Sequence, residues 1–125
     1  MELQELTFKI RGAIFKVYNE LGPGLLESVY VAALCLELTK VGLHVRKEVA
    51  LPVIYQDLRL ELGFRIDILV EEKVILEVKS VESLHHVHKK QLLTYLKLSN
   101  KKLGILVNFN VSKLIDKESI VRIIN

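Results

Sequence analysis

The sequence predicts an α/β domain of the α+β kind, with a central mixed β-sheet flanked by helices. Two amphipathic helical segments open the chain, three segments with alternating apolar residues follow, and a third helical segment precedes a continuous apolar run. The predicted order is therefore αα-βββ-α-β-β. The chain has 125 residues, and 50% of them are apolar. Since this is enough for one hydrophobic core, we expect residues 1–125 to form a single domain.

The first two segments have the spacing of amphipathic helices. Apolar residues recur every three or four positions over residues 3–21, and Gly22-Pro23-Gly24 ends this helix because Pro and Gly both break helices. A second helix is predicted over residues 25–41, before Gly42. Its predicted apolar stripe consists of Leu26, Val29, Tyr30, Ala33, Leu34, Leu38 and Val41.

Three segments with a period of two follow, as expected of strands that bury one face. They cover residues 45–56, 58–70 and 73–80, and Pro52 favours an edge position for the first. In the second strand the even positions are apolar: Leu58, Leu60, Leu62, Phe64, Ile66, Ile68 and Val70.

The remaining elements complete the sheet. Helical periodicity returns over residues 84–99, where we predict a third helix. Residues 103–109 are almost continuously apolar, as expected of a strand that is buried on both faces. Residues 119–124 are predicted to add a short last strand.

The pairing of the second and third predicted strands brings two carboxylates together. If the even positions of both strands face one core, the turn is centred on Glu72 and Asp67 lies opposite Glu77, with Cβ atoms about 5 Å apart. Like charges in this position are destabilising unless something compensates them, and a divalent cation with oxygen ligands does so. Lys79 follows on the same face. The pattern indicates a metal site, although a solvated charged face is the ordinary alternative, and the turn lacks the Gly or Asn of a typical short hairpin loop.

Other polar residues stand at helical positions. Glu27 lies within a Gly-x-x-Glu-x-x-Tyr string that begins at Gly24 and ends at Tyr30. It is a candidate site residue, or else a first-turn acid favoured by the helix dipole. Gln91 and Tyr95 are four residues apart and therefore share one helical face. They are candidate site residues or the boundary of a half-buried surface.

The third helix opens with a cluster of histidines and lysines. His85, His86 and His88 suggest zinc, but no cysteine and no convincing fourth ligand accompany them, so structural zinc is disfavoured. His88, Lys89 and Lys90 are candidates for contacts with nucleic-acid phosphates. The alternative is that the lysines only solubilise an exposed first turn.

The composition limits the class of protein only broadly. The formal net charge of +3 permits contact with polyanions but does not argue for it. Cys35 is the single cysteine, so no internal disulfide can form. We expect Cys35 to pack in the core, and we expect the protein to lie in the reducing cytoplasm. We expect no membrane span and no signal peptide.

Taken together and in this order, these residues resemble the PD-(D/E)xK nuclease superfamily, and specifically its small GxxExxY family. The similar segments are residues 24–30, 67–79, 91–95 and 104–109. The resemblance implies a restriction-endonuclease-like core. In that core a helical acid precedes a three-stranded meander that carries the Asp and the Glu-x-Lys, and a helix then crosses over to a further strand.

The resemblance also implies a role for each site residue. Asp67 and Glu77 would bind Mg²⁺ or Mn²⁺ with help from the Val78 carbonyl. Lys79 would orient and acidify the attacking water, and Glu27 would be an additional ligand or a nearby acid. Such chemistry is reasonable because a hard cation prefers oxygen ligands and assists phosphodiester hydrolysis.

Gln91 and Tyr95 would support the site and the DNA backbone. The implied function is a metal-dependent phosphodiesterase that acts on DNA in preference to RNA, and a homodimer or partner protein would be needed to enclose a duplex. Two alternatives stay open: a catalytically silent nucleic-acid-binding module, and a protein-interaction module that retains the nuclease fold.

Overall fold

The structure is a computed structural model that describes the backbone of residues 1–125 and every side chain except those of residues 62–63. It contains three helices and five strands in the predicted order, and each predicted boundary lies within two residues of the observed one. The elements are α1 (Leu3–Leu21), α2 (Glu27–Lys40), β1 (Val45–Tyr55), β2 (Leu58–Val70), β3 (Val74–Lys79), α3 (His86–Ser99), β4 (Leu103–Asn108) and β5 (Ile120–Ile124).

The strands form one mixed sheet in the order β1-β2-β3-β4-β5. Only β3 and β4 are parallel, and all other neighbours are antiparallel. Helix α3 is the crossover that joins the two parallel strands, as a parallel pair requires. Strand β1 lies at one edge of the sheet, which confirms the position that Pro52 favours. The register between β1 and β2 shifts between Leu51 and Val53, on either side of this proline.

Both faces of the sheet are buried. Helices α1 and α2 cover one face and form the first core cluster, which includes Leu6, Ile10, Ile14, Leu34, Leu38, Ile68, Leu76 and Val107. Helix α3 covers the other face and forms the second cluster, which includes Leu69, Ile75, Leu92, Tyr95, Leu96 and Leu106. Cys35 packs against the first cluster, as predicted.

Among the residues that the structure describes, no helix combines the length and apolar character needed to cross a membrane.

The alternation of β2 changes face at Asp67. Ile66 packs with Leu69 in the second cluster, whereas Ile68 packs in the first. On β1, Glu48 lies between the residues paired with Ile66 and Ile68, and its φ of 54° interrupts the extended conformation there. The prediction that every even position of β2 faces one core is therefore wrong before Asp67.

The outer part of the β1–β2 hairpin extends beyond the rest of the sheet. Ile54, Tyr55 and Leu58 are more than half exposed, so the predicted apolar face of β2 does not reach the core here. The reason is that β3 pairs with β2 only from Ile68 to Val70. The side chain of Leu62, which was predicted on the same face, lies outside the described residues.

The predicted stripe of α2 is correct in its middle and wrong at its ends. Tyr30, Leu34 and Leu38 are buried, but Leu26, Val29 and Val41 are substantially exposed. The first turn lies at the end of β3, where Glu27 bonds to Ser80, and not over the sheet.

The β2–β3 turn is centred on Glu72, as predicted. Glu71 and Glu72 both have a φ of 53°, although neither is the Gly or Asn that such a turn prefers. Their side chains form hydrogen bonds to residues at the start of β1, on the other side of β2. The Glu71 carboxylate accepts a bond from the His44 backbone, and Arg46 binds both oxygens of Glu72 at 2.7 Å.

Candidate metal centre

Asp67 and Glu77 meet at the point where β2 and β3 separate. The ladder has the predicted register, and its last observed pair is Ile68 with Leu76. Beyond that pair each carboxylate bonds the backbone of the opposite strand. The Asp67 amide donates to Glu77 Oε2 at 2.9 Å, and the Val78 amide donates to Asp67 Oδ2 at 2.8 Å. The side chains therefore converge, as the register argument predicts.

The environment of this pair disfavours two negative charges. Burial, followed by the negative charge of Asp67, raises the pKa of Glu77 to about 8. Burial also raises the pKa of Asp67, and the positive charge of Lys79 counteracts the rise in both groups. The folded, metal-free protein therefore holds a proton on Glu77 more tightly than a solvent-exposed glutamate does. A cation between the carboxylates would favour their ionised forms.

Lys79 lies two residues after Glu77 on β3 and opposite Asn108 of β4. Its side chain is half-buried. It is near enough to Asp67 and Glu77 to lower the pKa of both. None of the ion pairs among the described side chains includes Lys79. Its ammonium group is thus available to an anionic ligand.

Glu27 approaches the pair from α2. It is the first residue of the helix, and Oε2 accepts a hydrogen bond from the Ser80 amide at 3.0 Å. Glu27 therefore bonds the end of β3 and not its own helix, although its first-turn position also suits the helix dipole. It lines a cavity of about 190 Å³ together with Asp67, Lys47 and Glu48.

Three further residues of the site were not predicted from the sequence: Lys47 and Glu48 line this cavity, and Ser80 bonds Glu27. Glu48 and Lys47 looked like ordinary exposed charges on β1, and only the pairing of β1 with β2 places them beside Asp67. Ser80 could have been predicted as a site residue, because it directly follows Lys79 in the sequence. A larger cavity of about 480 Å³ lies between α1 and β5, away from these carboxylates.

Helix α3 brings Tyr95 to the site. Tyr95 is 5% exposed. Its ring packs edge-on against the ring of Phe64, with the ring centroids 6.0 Å apart. Burial raises the pKa of Tyr95, and the charges of Glu77 and Asp67 raise it further. Tyr95 therefore belongs to the core and also faces the carboxylates. Gln91, one turn earlier, is exposed to solvent.

The first turn of α3 places His88 near the site. Its Nδ1 accepts a hydrogen bond from the His85 amide at 3.0 Å, which caps the helix. Burial and the charges of Lys79 and His85 lower the pKa of His88, whereas Glu27 raises it. Lys89 is half-buried and Lys90 is exposed.

Within the described part of the chain, no three His, Cys, Asp or Glu side chains are grouped closely enough to hold a metal ion. The histidines at the start of α3 are among the described residues that form no such group. Asp67 and Glu77 converge as a pair, and Glu27 lies near enough, with its bond to Ser80, for its charge to raise the pKa of Asp67.

Comparison with known proteins agrees with this architecture. The family model of the PD-(D/E)XK nuclease superfamily matches residues 4–123, which is nearly the whole chain. A search of the curated proteins returned no significant match. The observed α+β fold, with α3 crossing between parallel strands, is consistent with the restriction-endonuclease-like fold expected from the sequence.

Proposed function

Because the chain belongs to the PD-(D/E)XK nuclease superfamily, we propose that it is a phosphodiesterase that depends on Mg²⁺ or Mn²⁺ and hydrolyses DNA in preference to RNA. We also propose that it belongs to the GxxExxY family, on the basis of Gly24, Glu27 and Tyr30. The observation that supports the activity best is the convergence of Asp67 and Glu77 where β2 and β3 separate.

The donor chemistry of the pair fits a hard divalent cation. Each carboxylate uses one oxygen for a backbone amide. The backbone amides bond Glu77 Oε2 and Asp67 Oδ2, so Asp67 Oδ1 and Glu77 Oε1 are the oxygens that would serve as ligands. Mg²⁺ and Mn²⁺ prefer such oxygen ligands. When bound, the ion would acidify an attacking water and stabilise the negative charge that develops on the phosphate.

The remaining residues have roles that follow from their positions. Asp67, Glu77 and the Val78 carbonyl would hold the ion, and Glu27 would be a further ligand or a nearby acid. Lys79 would bind the phosphate by charge and orient the water, because its ammonium group lies beside the carboxylates without an ion pair of its own.

Helix α3 supplies residues for the substrate backbone. Tyr95 would support the carboxylates from the core, and Gln91 would contact the DNA backbone from its exposed position. His88, Lys89 and Lys90 would contact phosphates near the cleft. Such contacts are independent of sequence, so they contribute affinity and not base specificity.

The proposal is tested with labelled single-stranded DNA, duplex DNA and RNA of matched sequence, incubated with Mn²⁺, Mg²⁺ or EDTA. Wild-type protein should cleave DNA only with a divalent ion, and Lys79→Ala should abolish cleavage while retaining most Mn²⁺ binding. Lys113→Ala, which removes an exposed lysine from the loop before β5, is the matched control and should cleave like the wild type.

Two results would contradict the proposal. Cleavage that persists in Lys79→Ala would place the activity elsewhere or in a contaminant. Wild-type protein that binds DNA but cleaves no substrate with any ion would indicate the nucleic-acid-binding module instead.

A further inference from the structure

Ser80 connects the end of β3 to the start of α2. Its amide donates to Glu27 Oε2 at 3.0 Å, and its Oγ donates to the Leu25 carbonyl at 2.6 Å. Both bonds join residues that are more than fifty positions apart in the chain. The residue directly after Lys79 therefore fixes both the Glu27 carboxylate and the backbone that leads into its helix.

Asn108 holds the segment that follows Ser80. It is the last residue of β4, it lies opposite Lys79, and it is 2% exposed. Its Nδ2 donates to the Val81 carbonyl at 2.9 Å, and its Oδ1 accepts from the amides of Val81 at 3.1 Å and Asn110 at 3.2 Å. Because a buried amide is costly unless its hydrogen bonds are made, this arrangement holds the backbone of Val81 firmly in place.

Tyr30 holds the same region from the side of α2. Its hydroxyl accepts a bond from the Leu25 amide at 3.1 Å and donates to the Gly22 carbonyl. Its ring stacks on Phe109, the residue after Asn108, with centroids 4.3 Å apart. Gly24 has a φ of 95° in the intervening turn, a conformation that other residues rarely adopt. The turn before Glu27 is thus held on both sides.

We infer that Ser80 and Asn108 are positioning residues that hold the Glu27 carboxylate beside Asp67 and Glu77. Asn108 acts through Val81. Ser80 acts through its amide, which bonds the Glu27 carboxylate, and through its hydroxyl, which bonds the Leu25 carbonyl and so holds the backbone that leads into Glu27 against the end of β3. Ser80→Ala removes only the hydroxyl bond. This inference rests on the proposed metal-dependent function. A glutamate side chain loses considerable rotamer freedom when it is ordered, so a carboxylate that is already fixed in the metal-free protein binds an ion at lower entropic cost.

The first test is Mn²⁺ binding measured by isothermal titration calorimetry on the purified full chain. Ser80→Ala and Asn108→Ala should each weaken Mn²⁺ affinity by roughly tenfold or more, the size typical of residues that orient metal ligands. Ser80→Thr retains the hydroxyl and should restore most of the affinity. The matched control is Ser119→Ala, because Ser119 is buried as Asn108 is, and its hydroxyl bonds the backbone of Ile115 much as the Ser80 hydroxyl bonds that of Leu25.

A second test uses the metal-free protein, so it is independent of metal binding and activity. The urea midpoint should fall in Ser80→Ala and change in Glu27→Ala, and the double variant should be destabilised by less than the sum of the two single changes. The pair Ser119→Ala and Glu27→Ala should be additive. Additive effects for Ser80 and Glu27 would overturn the coupling.

The outcomes separate this inference from the proposed function. If Asp67→Asn abolishes Mn²⁺ binding while Ser80→Ala and Asn108→Ala bind as Ser119→Ala does, the positioning role is wrong and the metal site stands. If Asp67→Asn binds Mn²⁺ like the wild type, the proposed metal site itself is wrong. Should Asn108→Ala fail to fold, Ser80→Ala decides the question, since its hydroxyl lies at the surface.

Discussion

Asp67 and Glu77 each accept a hydrogen bond from the backbone of the other's strand, directly beyond the last ladder pair of β2 and β3. The two carboxylates replace ladder bonds that the separating strands no longer make. They are thereby held close together where solvent access is limited. Burial raises the pKa of both, and the charge of Asp67 raises that of Glu77 further. The same arrangement that costs stability in the metal-free protein supplies oxygen ligands for a cation.

The metal-free protein should lose stability as the pH rises. The pKa of Glu77 is raised from 4.5 to about 8 in the folded protein, so the folded state holds this proton more tightly than the unfolded state. The stabilising contribution of this proton is fully present below about pH 4.5 and is lost as the pH rises to about 8. Over that range the free energy of unfolding should fall by at most about 1.4 kcal/mol per pH unit.

Urea unfolding with EDTA between pH 5 and pH 9 measures this slope. Glu77→Gln retains an acceptor for the Asp67 amide and should flatten the profile, so that it is more stable than the wild type above pH 8. Glu118→Gln, an exposed control, should retain the wild-type profile. A wild-type profile that does not fall over this range would contradict the assignment.

Divalent ions should raise the melting temperature through the carboxylate pair. A ligand present at a hundred times its dissociation constant adds about 2.7 kcal/mol to the free energy of unfolding. Asp67→Asn should blunt this increase in calorimetry. The metal-free variant should be at least as stable as the wild type, because the Asn oxygen can still accept the Val78 amide while the charge repulsion is removed. Equal melting with and without Mn²⁺ in the wild type would argue against the site.

The sequence was sufficient to predict the order of the elements and the register of β2 with β3. Both depend on local hydrophobic periodicity, and an error of one residue in the register would have moved Val74, Leu76 and Val78 to the opposite face of the sheet. The positions of Asp67 and Glu77 follow from that register alone. The roles of Glu27 and Tyr95 could be suggested only through the resemblance, because no local pattern shows which helix ends approach which strands.

The departures from prediction have a common origin in tertiary structure. The face change at Asp67 depends on Glu48 of the neighbouring strand, whose φ of 54° has no signal in its residue type. Leu26 and Val29 have the spacing of a core stripe but lie in a helical turn that extends to the end of β3. Asn108 looked like the end of a buried strand, and its bonds to Val81 become apparent only once β3 and β4 are adjacent.

Lys89 and Lys90 should contribute to DNA affinity through phosphate contacts. Each contact adds about −0.9 to the slope of log affinity against log salt on duplex DNA, so replacing both lysines by Ala should flatten the slope by up to about two units. Sequence preference should not change. Fluorescence anisotropy in a salt series with Ca²⁺ measures the slope, and replacing the exposed Lys113 and Lys117 by Ala is the matched control. An unchanged slope in the Lys89 and Lys90 variant would remove the start of α3 from the DNA surface.

Gln91 and Tyr95 should affect turnover less than Lys79. Tyr95→Phe retains the ring that packs on Phe64 and removes only the hydroxyl near the carboxylates, so the variant should fold normally and lose roughly tenfold in kcat. Gln91→Ala should raise KM more than it lowers kcat, because Gln91 is exposed and would contact only the substrate backbone. Steady-state cleavage of a labelled DNA strand separates these effects, and a loss as complete as in Lys79→Ala would contradict both roles.

Crystals grown with Mn²⁺ above pH 8, where high pH favours the ionised form of Glu77, provide the most direct measurement of the central claim. The account predicts an anomalous difference peak between the Asp67 and Glu77 carboxylates, within coordination distance of an oxygen from each, and no such peak in crystals of Asp67→Asn. A wild-type crystal with no peak at this position, or with Mn²⁺ only at the histidines of α3, would contradict it.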